Sequence, residues 1–224
     1  MDPIQKNIAI FTHELEKFKR DYWRNDEEFI VNRFFTKTSG KMLVLGCGAG
    51  RTLLPLHVHG YEITAIDITP AMVEAAKEKV KNTSIQVCLM DACKLTFNDN
   101  MFDYAFFPFH GIDYIHPDIY KAVQEVHRVL KPDGVFVFNS HNRTALKQLH
   151  RFFVGNYATD PSGLITYRTT PMDKLRLRTY FRKVTSIGRT SISISWQKAN
   201  WKDCFYKIFP ILDKSTYFVC RGKC

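Results

Sequence analysis

The chain has 224 residues, 45% of them hydrophobic and 24% charged, with a formal net charge of +10. That length and apolar content suit one folding unit with a substantial core and exclude a disordered or low-complexity polymer. No apolar stretch approaches the roughly 20 residues that span a bilayer, and the charged N-terminus lacks a signal-peptide core, so a cytoplasmic protein outside the membrane is expected.

From residue 41 the chain switches repeatedly between short apolar runs and longer amphipathic ones, the pattern of strands and helices alternating around a parallel sheet. Strands are predicted at 42–46, 62–67, 85–90, 103–108 and 134–140, with helices at 50–59, 70–81 and 117–130. After the first strand, MLVLGCGAGR places Gly46, Gly48 and Gly50 where the chain turns sharply and backbone amides can approach a ligand with no Cβ between. Glu62 to Ile66 form the next apolar run, and Asp67 ends it roughly 20 positions beyond the glycine turn, where doubly wound sheets place a carboxylate that accepts ribose hydroxyls. The glycines run G-x-G-x-G and not G-x-G-x-x-G, which disfavours a nicotinamide-dependent oxidoreductase.

Thr69 is the predicted N-cap of the second helix and Pro70 its first residue, where a missing amide costs little. Pro55, early in the first helix, is tolerated for the same reason. Lys131-Pro132-Asp133-Gly134 is a stop and turn. Further on, Thr170-Pro171-Met172-Asp173 starts a helix expected to reach about Phe181. The period-two alternation of Lys174 to Arg178 suits a strand as well, and the start signal decides for the helix. Strands follow at 184–188 and 216–220. Six cysteines, at 47, 88, 93, 204, 220 and 224, contain no C-x-x-C pair. Reduced, mostly buried thiols are expected, and no metal centre.

These motifs, in this order, resemble the class I S-adenosylmethionine-dependent methyltransferases, whose first motif reads V-L-D-L-G-C-G-x-G. The resemblance runs from about Lys41 to Asn142. IDITPAMVEAAKEK looks like the family's second strand and helix, VCLMDACKL its third strand, FDYAFFPFHGIDYI its fourth, and EVHRVLKPDGVFVF its helix, turn and fifth strand. It implies an α/β, doubly wound, mostly parallel seven-stranded sheet with helices on both faces and the last strand antiparallel. It also implies S-adenosyl-L-methionine as cofactor and S-adenosyl-L-homocysteine as product. Gly46, Cys47, Gly48 and Gly50 would pass beneath the cofactor, Asp67 would hold its ribose, Ile68 would pack on adenine, Asp91 and Ala92 would meet the adenine edge, and Phe107 would lie near by. One position departs: Val44 stands where the family has an acid that orders the cofactor's amino-acid end. The family also implies that residues 1–40 form a helical lid over a domain spanning 41–224. Tyr22 is its candidate substrate contact, while Phe29, Phe34 and Phe35 are expected in the core.

A sulfonium carries an activated methyl group, so such an enzyme mainly aligns a nucleophile and excludes water. A hydroxyl, thiol or ammonium acceptor must also lose a proton, for which histidine is suited. His110 follows the fourth strand and His141 the fifth, at the carboxyl ends where such sheets bind ligands. Asp113 and Tyr114 are placed to assist His110. Phe106-Phe107-Pro108-Phe109 lacks the polar clamp of enzymes that methylate exocyclic base amines. A small-molecule acceptor is therefore expected, taken by a monomer or homodimer. The alternatives are an RNA or protein methyltransferase, or a non-catalytic cofactor-binding subunit. The first alternative would use residues 143–189, which hold ten basic side chains against Asp160 and Asp173. That stretch reads equally as a solvated face.

Overall fold

Met42, Leu43, Val44 and Leu45 are all 0% exposed, the condition of a strand covered on both faces. They belong to β1 (Lys41–Leu45), an interior strand of a seven-stranded sheet. Its other strands are β2 (Glu62–Asp67), β3 (Gln86–Leu89), β4 (Phe102–Phe107), β5 (Leu130–His141), β8 (Phe181–Gly188) and β9 (Ser215–Lys223). The order is β3-β2-β1-β4-β5-β9-β8, and β6 (Tyr157–Thr159) and β7 (Ile165–Tyr167) form a separate hairpin. The first five strands are parallel, and β9 runs antiparallel to both of its neighbours. The structure, a computed structural model, describes residues 2–36, 39–141, 157–159, 163–167, 171–188 and 215–224.

Alternation along the strands divides the core in two. Leu43, Leu45, Phe107, Phe136, Phe138 and Phe218 face one side, where they meet α6 (Ile119–Val129). Met42, Val44, Tyr104, Phe106, Val137 and Tyr217 face the other. There they meet α3 (Asn25–Phe34), α4 (Leu53–Val58) and α5 (Pro70–Val80). The α6 helix begins where the Asp118 carboxylate accepts the Tyr120 N–H at 2.9 Å. Its Ile119, Ala122, Val123, Val126 and Val129 fall at helical spacing and are all buried. Each larger one contributes about 1.5–3 kcal/mol by leaving water, so Val123→Asp would break this contact. The N-terminal residues add α1 (Pro3–His13), opened by Asp2 and Pro3, and the short α2 (Leu15–Phe18).

The predicted strands and helices are present, with four differences. The first helix starts at Leu53 and not at 50, because Gly50 at φ +82° lies outside helical geometry. The helix at Pro171 ends at Leu177 (α7, Pro171–Leu177), since Phe181 and Val184 are drawn into the core from β8. The expected turn at 131–134 is an irregularity within β5: pairing with β4 jumps from Phe102↔Leu130 to Tyr104↔Val135, leaving Pro132 and Asp133 exposed. Phe29, expected in the core, is 42% exposed, because Ile30 and Val31 take the inward phase of α3. Phe35 is buried as expected and Phe34 is partly so. Among the described cysteines, Cys47 and Cys220 are buried, Cys88 and Cys93 are intermediate and Cys224 is exposed, all as free thiols. Cys204 lies outside the described residues.

Candidate functional site

The glycine turn leaves β1 with Gly46 at φ +57° and Gly48 at φ +53°, a region that side chains rarely adopt. A Cβ on Gly46 would lie 2.6 Å from the Phe107 ring, whereas one on Gly48 would meet nothing within 4 Å. The first glycine is therefore required by packing, and the second faces open space. The turn is tied to β2 by the Cys47 N–H, which donates to the Ile66 carbonyl at 3.0 Å. It is tied to Asp67 by the Gly48 N–H, which donates to Oδ2 at 2.9 Å. The Thr69 N–H donates to Oδ1 of the same carboxylate at 2.8 Å. Burial pushes the Asp67 carboxyl up from its ordinary range, and the Thr69 and Gly48 amides pull it back.

Beyond this turn lies a cavity of about 400 Å3, within the range that holds small ligands. Gly46, Cys47, Gly48, Asp67, Ile68, Asp91, Ala92, Phe107, Tyr22 and Tyr114 of the predicted site all line it. Gly50 does not: a Cβ there would meet Ala76 of α5 at 3.3 Å, so this glycine lets the turn pack on a helix. The opposite wall comes from α1 and α2, through Ile4, Ile8, Phe11 and Phe18. The Phe11 ring meets Phe18 edge-on at 5.6 Å and Tyr114 at 5.0 Å. Buried Asn7 anchors α1: its Nδ2 donates to the Ile165 carbonyl and its Oδ1 accepts the Ile165 N–H, both at 3.0 Å. Burial holds the Cys47 thiol well above its ordinary range, which keeps it neutral beside the turn, and lowers His116 in the cavity wall.

His110, Asp113 and His141 come together but do not line the cavity. Asp113 sits in the short 3-10 helix Gly111–Tyr114, whose Gly111 and Tyr114 do line it. The sequence suggests that Asp113 assists His110; in the structure its carboxylate reaches both histidines and lies nearer to His141. Asp113 Oδ2 lies 2.8 Å from His141 Nδ1 and 3.8 Å from His110 Nδ1. It also accepts the His141 N–H at 2.9 Å, while Oδ1 accepts the Ser140 hydroxyl at 2.5 Å. His110 instead stacks on His141, with ring centroids 3.8 Å apart and planes at 16°. Phe109 and His110 both hold positive φ, and the Asn139 side chain accepts the His110 N–H at 2.9 Å. Burial pushes the Asp113 carboxyl up, and His141 counteracts this. One donor atom from each of the three residues lies within 4.8 Å of the others. Nearly parallel rings, however, send their in-plane lone pairs side by side and do not converge them on one tetrahedral centre. The geometry is that of a hydrogen-bonded carboxylate–imidazole pair with a second ring against it.

Sequence reasoning missed Arg51, Phe109 and the cavity-lining side of α1. The Asp2-Pro3 start was a usable signal for α1, and nothing local marked the other two. Of the basic stretch, Lys174, Arg176, Arg178, Arg182 and Lys183 are described, whereas Arg143, Lys147, Arg151, Arg168 and Arg189 lie outside the described residues. Arg176 lies 3.6 Å from the Tyr120 ring centre and 3.6 Å from Asp118, so part of this charge has partners within the chain. Among the described residues no helix is long and apolar enough to cross a membrane.

Residues 43–138 match the family described as Methyltransferase domain. The chain is 31% identical over 121 residues to a sterol 4-C-methyltransferase of Caenorhabditis elegans, covering 48% of this chain and 36% of that protein. It is 35% identical over 120 residues to a demethylmenaquinone methyltransferase of Staphylococcus haemolyticus, covering 51% of this chain and 48% of the relative. It thus spans less than half the length of either. In fold it is similar to a Haemonchus contortus phosphoethanolamine N-methyltransferase solved with S-adenosylhomocysteine (TM-score 0.66, 18% identity, 96% of this chain and 57% of that one). The cofactor of such domains needs a bend without side chains, acceptors for ribose hydroxyls and an apolar slot for adenine. Open space at Gly48, the Asp67 carboxylate with one amide on each oxygen, and Ile68 in the cavity wall fit those needs. The match over residues 43–138 and the likeness to these relatives support the class I, Rossmann-like, S-adenosylmethionine-dependent methyltransferase family.

Proposed function

We propose that this protein methylates a small, largely apolar acceptor held between the carboxyl ends of the strands and a lid formed by α1, α2 and the segment around Tyr22. The observation that carries this reading is one cavity with two unlike walls. Gly46, Gly48 and Asp67 stand on one side, and Ile4, Ile8, Phe11, Phe18 and Tyr114 on the other. When bound, S-adenosylmethionine supplies a methyl group already activated on a sulfonium. Asp67 would hold its ribose, Ile68, Asp91 and Ala92 its base, and the Gly46–Gly48 backbone its amino-acid end.

The chain's own work is then to orient the acceptor, exclude water and take a proton. Phe11, Phe18 and Tyr114 form an aromatic wall against which a ring-bearing acceptor packs. With Asp113 ionised, the His141 Nδ1–H donates to it; because His141 does not line the cavity, its Nε2 would take the acceptor's proton through an intervening water. The named substrates of the two curated relatives, a sterol and demethylmenaquinone, are both apolar ring compounds, which supports the same acceptor class.

The test is methyl transfer from labelled S-adenosylmethionine to apolar ring compounds bearing a hydroxyl or acidic C–H, with short RNAs and basic proteins in parallel. Turnover on the small acceptors supports the reading. Turnover only on RNA or protein, or tight cofactor binding with no turnover on any acceptor, contradicts it.

A further inference from the structure

Residues 19–24 join α2 to α3 without regular structure, yet they are held down from the body of the domain at two places. Lys79 of α5 donates to the Lys19 carbonyl at 3.2 Å and to the Asp21 carboxylate at 2.5 Å. The second hold comes from the glycine turn itself. Arg51, the residue after Gly50, donates to the Tyr22 carbonyl at 3.0 Å and lies 4.7 Å from the centre of the Tyr22 ring. Its guanidinium is braced from behind by Glu27, which is 0% exposed and accepts from it at 2.7 and 2.5 Å. The Phe109 ring flanks it at 5.1 Å. Arg51, Tyr22 and Phe109 all line the cavity.

A planar guanidinium gripped by a carboxylate has its orientation fixed, which a flexible ammonium would not. Its other contacts are therefore delivered to one place, the backbone and ring of Tyr22. The same short turn that frames the cofactor space thus also sets where the 19–24 segment sits. We infer that Arg51 is a positioning residue that couples occupancy of the glycine turn to closure of residues 19–24 over the cavity. This rests on the cofactor reading above: a ligand lying on the turn fixes the Arg51 backbone, and the closed segment in turn retains the ligand. The coupling is reciprocal, so loosening the segment must weaken the ligand.

Trypsin reports on the segment, because Lys19, Arg20 and Arg24 flank Tyr22. Cleavage rates at these sites, read by mass spectrometry with and without S-adenosylhomocysteine, are measured beside its affinity by calorimetry. In the wild type the ligand is expected to slow cleavage about tenfold or more, within the usual strength of coupling between sites. Tyr22→Ala leaves the Arg51–Glu27 pair intact, and Arg51→Gln/Glu27→Gln removes both buried charges together. Each is expected to lose most of the protection and roughly tenfold in affinity, and Arg51→Lys to recover part of both. Should the double variant fail to fold, Tyr22→Ala and Arg51→Lys decide alone. Wild-type protection and affinity in folded Tyr22→Ala and Arg51→Lys would overturn the inference, as would ligand binding by the wild type with no protection. Absence of any binding by the wild type would instead defeat the cofactor reading, and the coupling with it.

Discussion

Asp67→Ala is the perturbation whose magnitude follows most directly from the structure. Each oxygen of the carboxylate already accepts one backbone amide, from Gly48 at 2.9 Å and from Thr69 at 2.8 Å. The Thr69 side chain and the Ile68 amide also bear on this carboxylate, so the ribose hydroxyls would share it with donors of the chain. A hydrogen bond to a charged acceptor is worth about 1.5–3 kcal/mol, and losing two with partial replacement by water leaves about 3 kcal/mol, roughly a hundredfold in Kd. Asp67→Asn is expected to do little better, because its NH2 group would confront an amide donor. Calorimetric titration with S-adenosylhomocysteine measures the change, with a thermal melt to show that the variant is folded. A Kd within twofold of wild type in folded Asp67→Ala would refute the ribose assignment. The same residue fixes a pH dependence. Burial raises the free carboxyl above 3.8, and hydroxyl donors favour its ionised form, so binding lowers its pKa and expels a proton. Affinity is therefore expected to fall as pH drops through the raised value of the free protein and to be level above it. A flat profile extending to acid pH would contradict this.

Gly48→Ala places a methyl group in open cavity at φ +53°, and should fold with a loss of about 1–2 kcal/mol while binding S-adenosylhomocysteine more weakly. Gly46→Ala drives the same methyl into the Phe107 ring and should lower the melting temperature more, so equal melting of the two variants would count against the packing described. His141→Ala should reduce turnover about a hundredfold or more while leaving S-adenosylhomocysteine affinity unchanged, and full turnover on a hydroxyl acceptor would remove His141 from the mechanism. Asn7→Ala removes two hydrogen bonds to Ile165, leaving its carbonyl with His116 Nε2 at 3.4 Å, and should cost about 1–2 kcal/mol in denaturant unfolding. An unchanged midpoint would show that α1 is not held by this contact.

The sheet was legible because its signals are local. The apolar runs of β1, β2, β4 and β5, the Pro70 start and the Gly46–Asp67 spacing each lie within one stretch of chain, and the strands and helix they predict are present. The pairings that complete the site are not local. Glu27 and Arg51 are 24 residues apart, and no periodicity links them. Asp113 illustrates the same limit. Its neighbour in sequence is His110, but two consecutive positive-φ residues turn that ring onto a stack, and the carboxylate bonds His141, 28 residues away. Phe29 was misplaced by one phase of a helix whose inward stripe is set by Ile30 and Val31. Val44 stands where the family resemblance expects an acid. It is 0% exposed within an apolar cluster that includes Ile30, Val31 and Leu53, so no carboxylate reaches the cofactor space from that position.

The central claim is that an adenosyl ligand lies over the glycine turn with its ribose on Asp67. A crystal structure of the protein with S-adenosylhomocysteine tests it most directly. The expected result is the ligand in the 400 Å3 cavity, both ribose hydroxyls within hydrogen-bond distance of Asp67 and the homocysteine portion beside Gly48. A ligand bound elsewhere, or a cavity still empty at saturating concentration, would contradict the account.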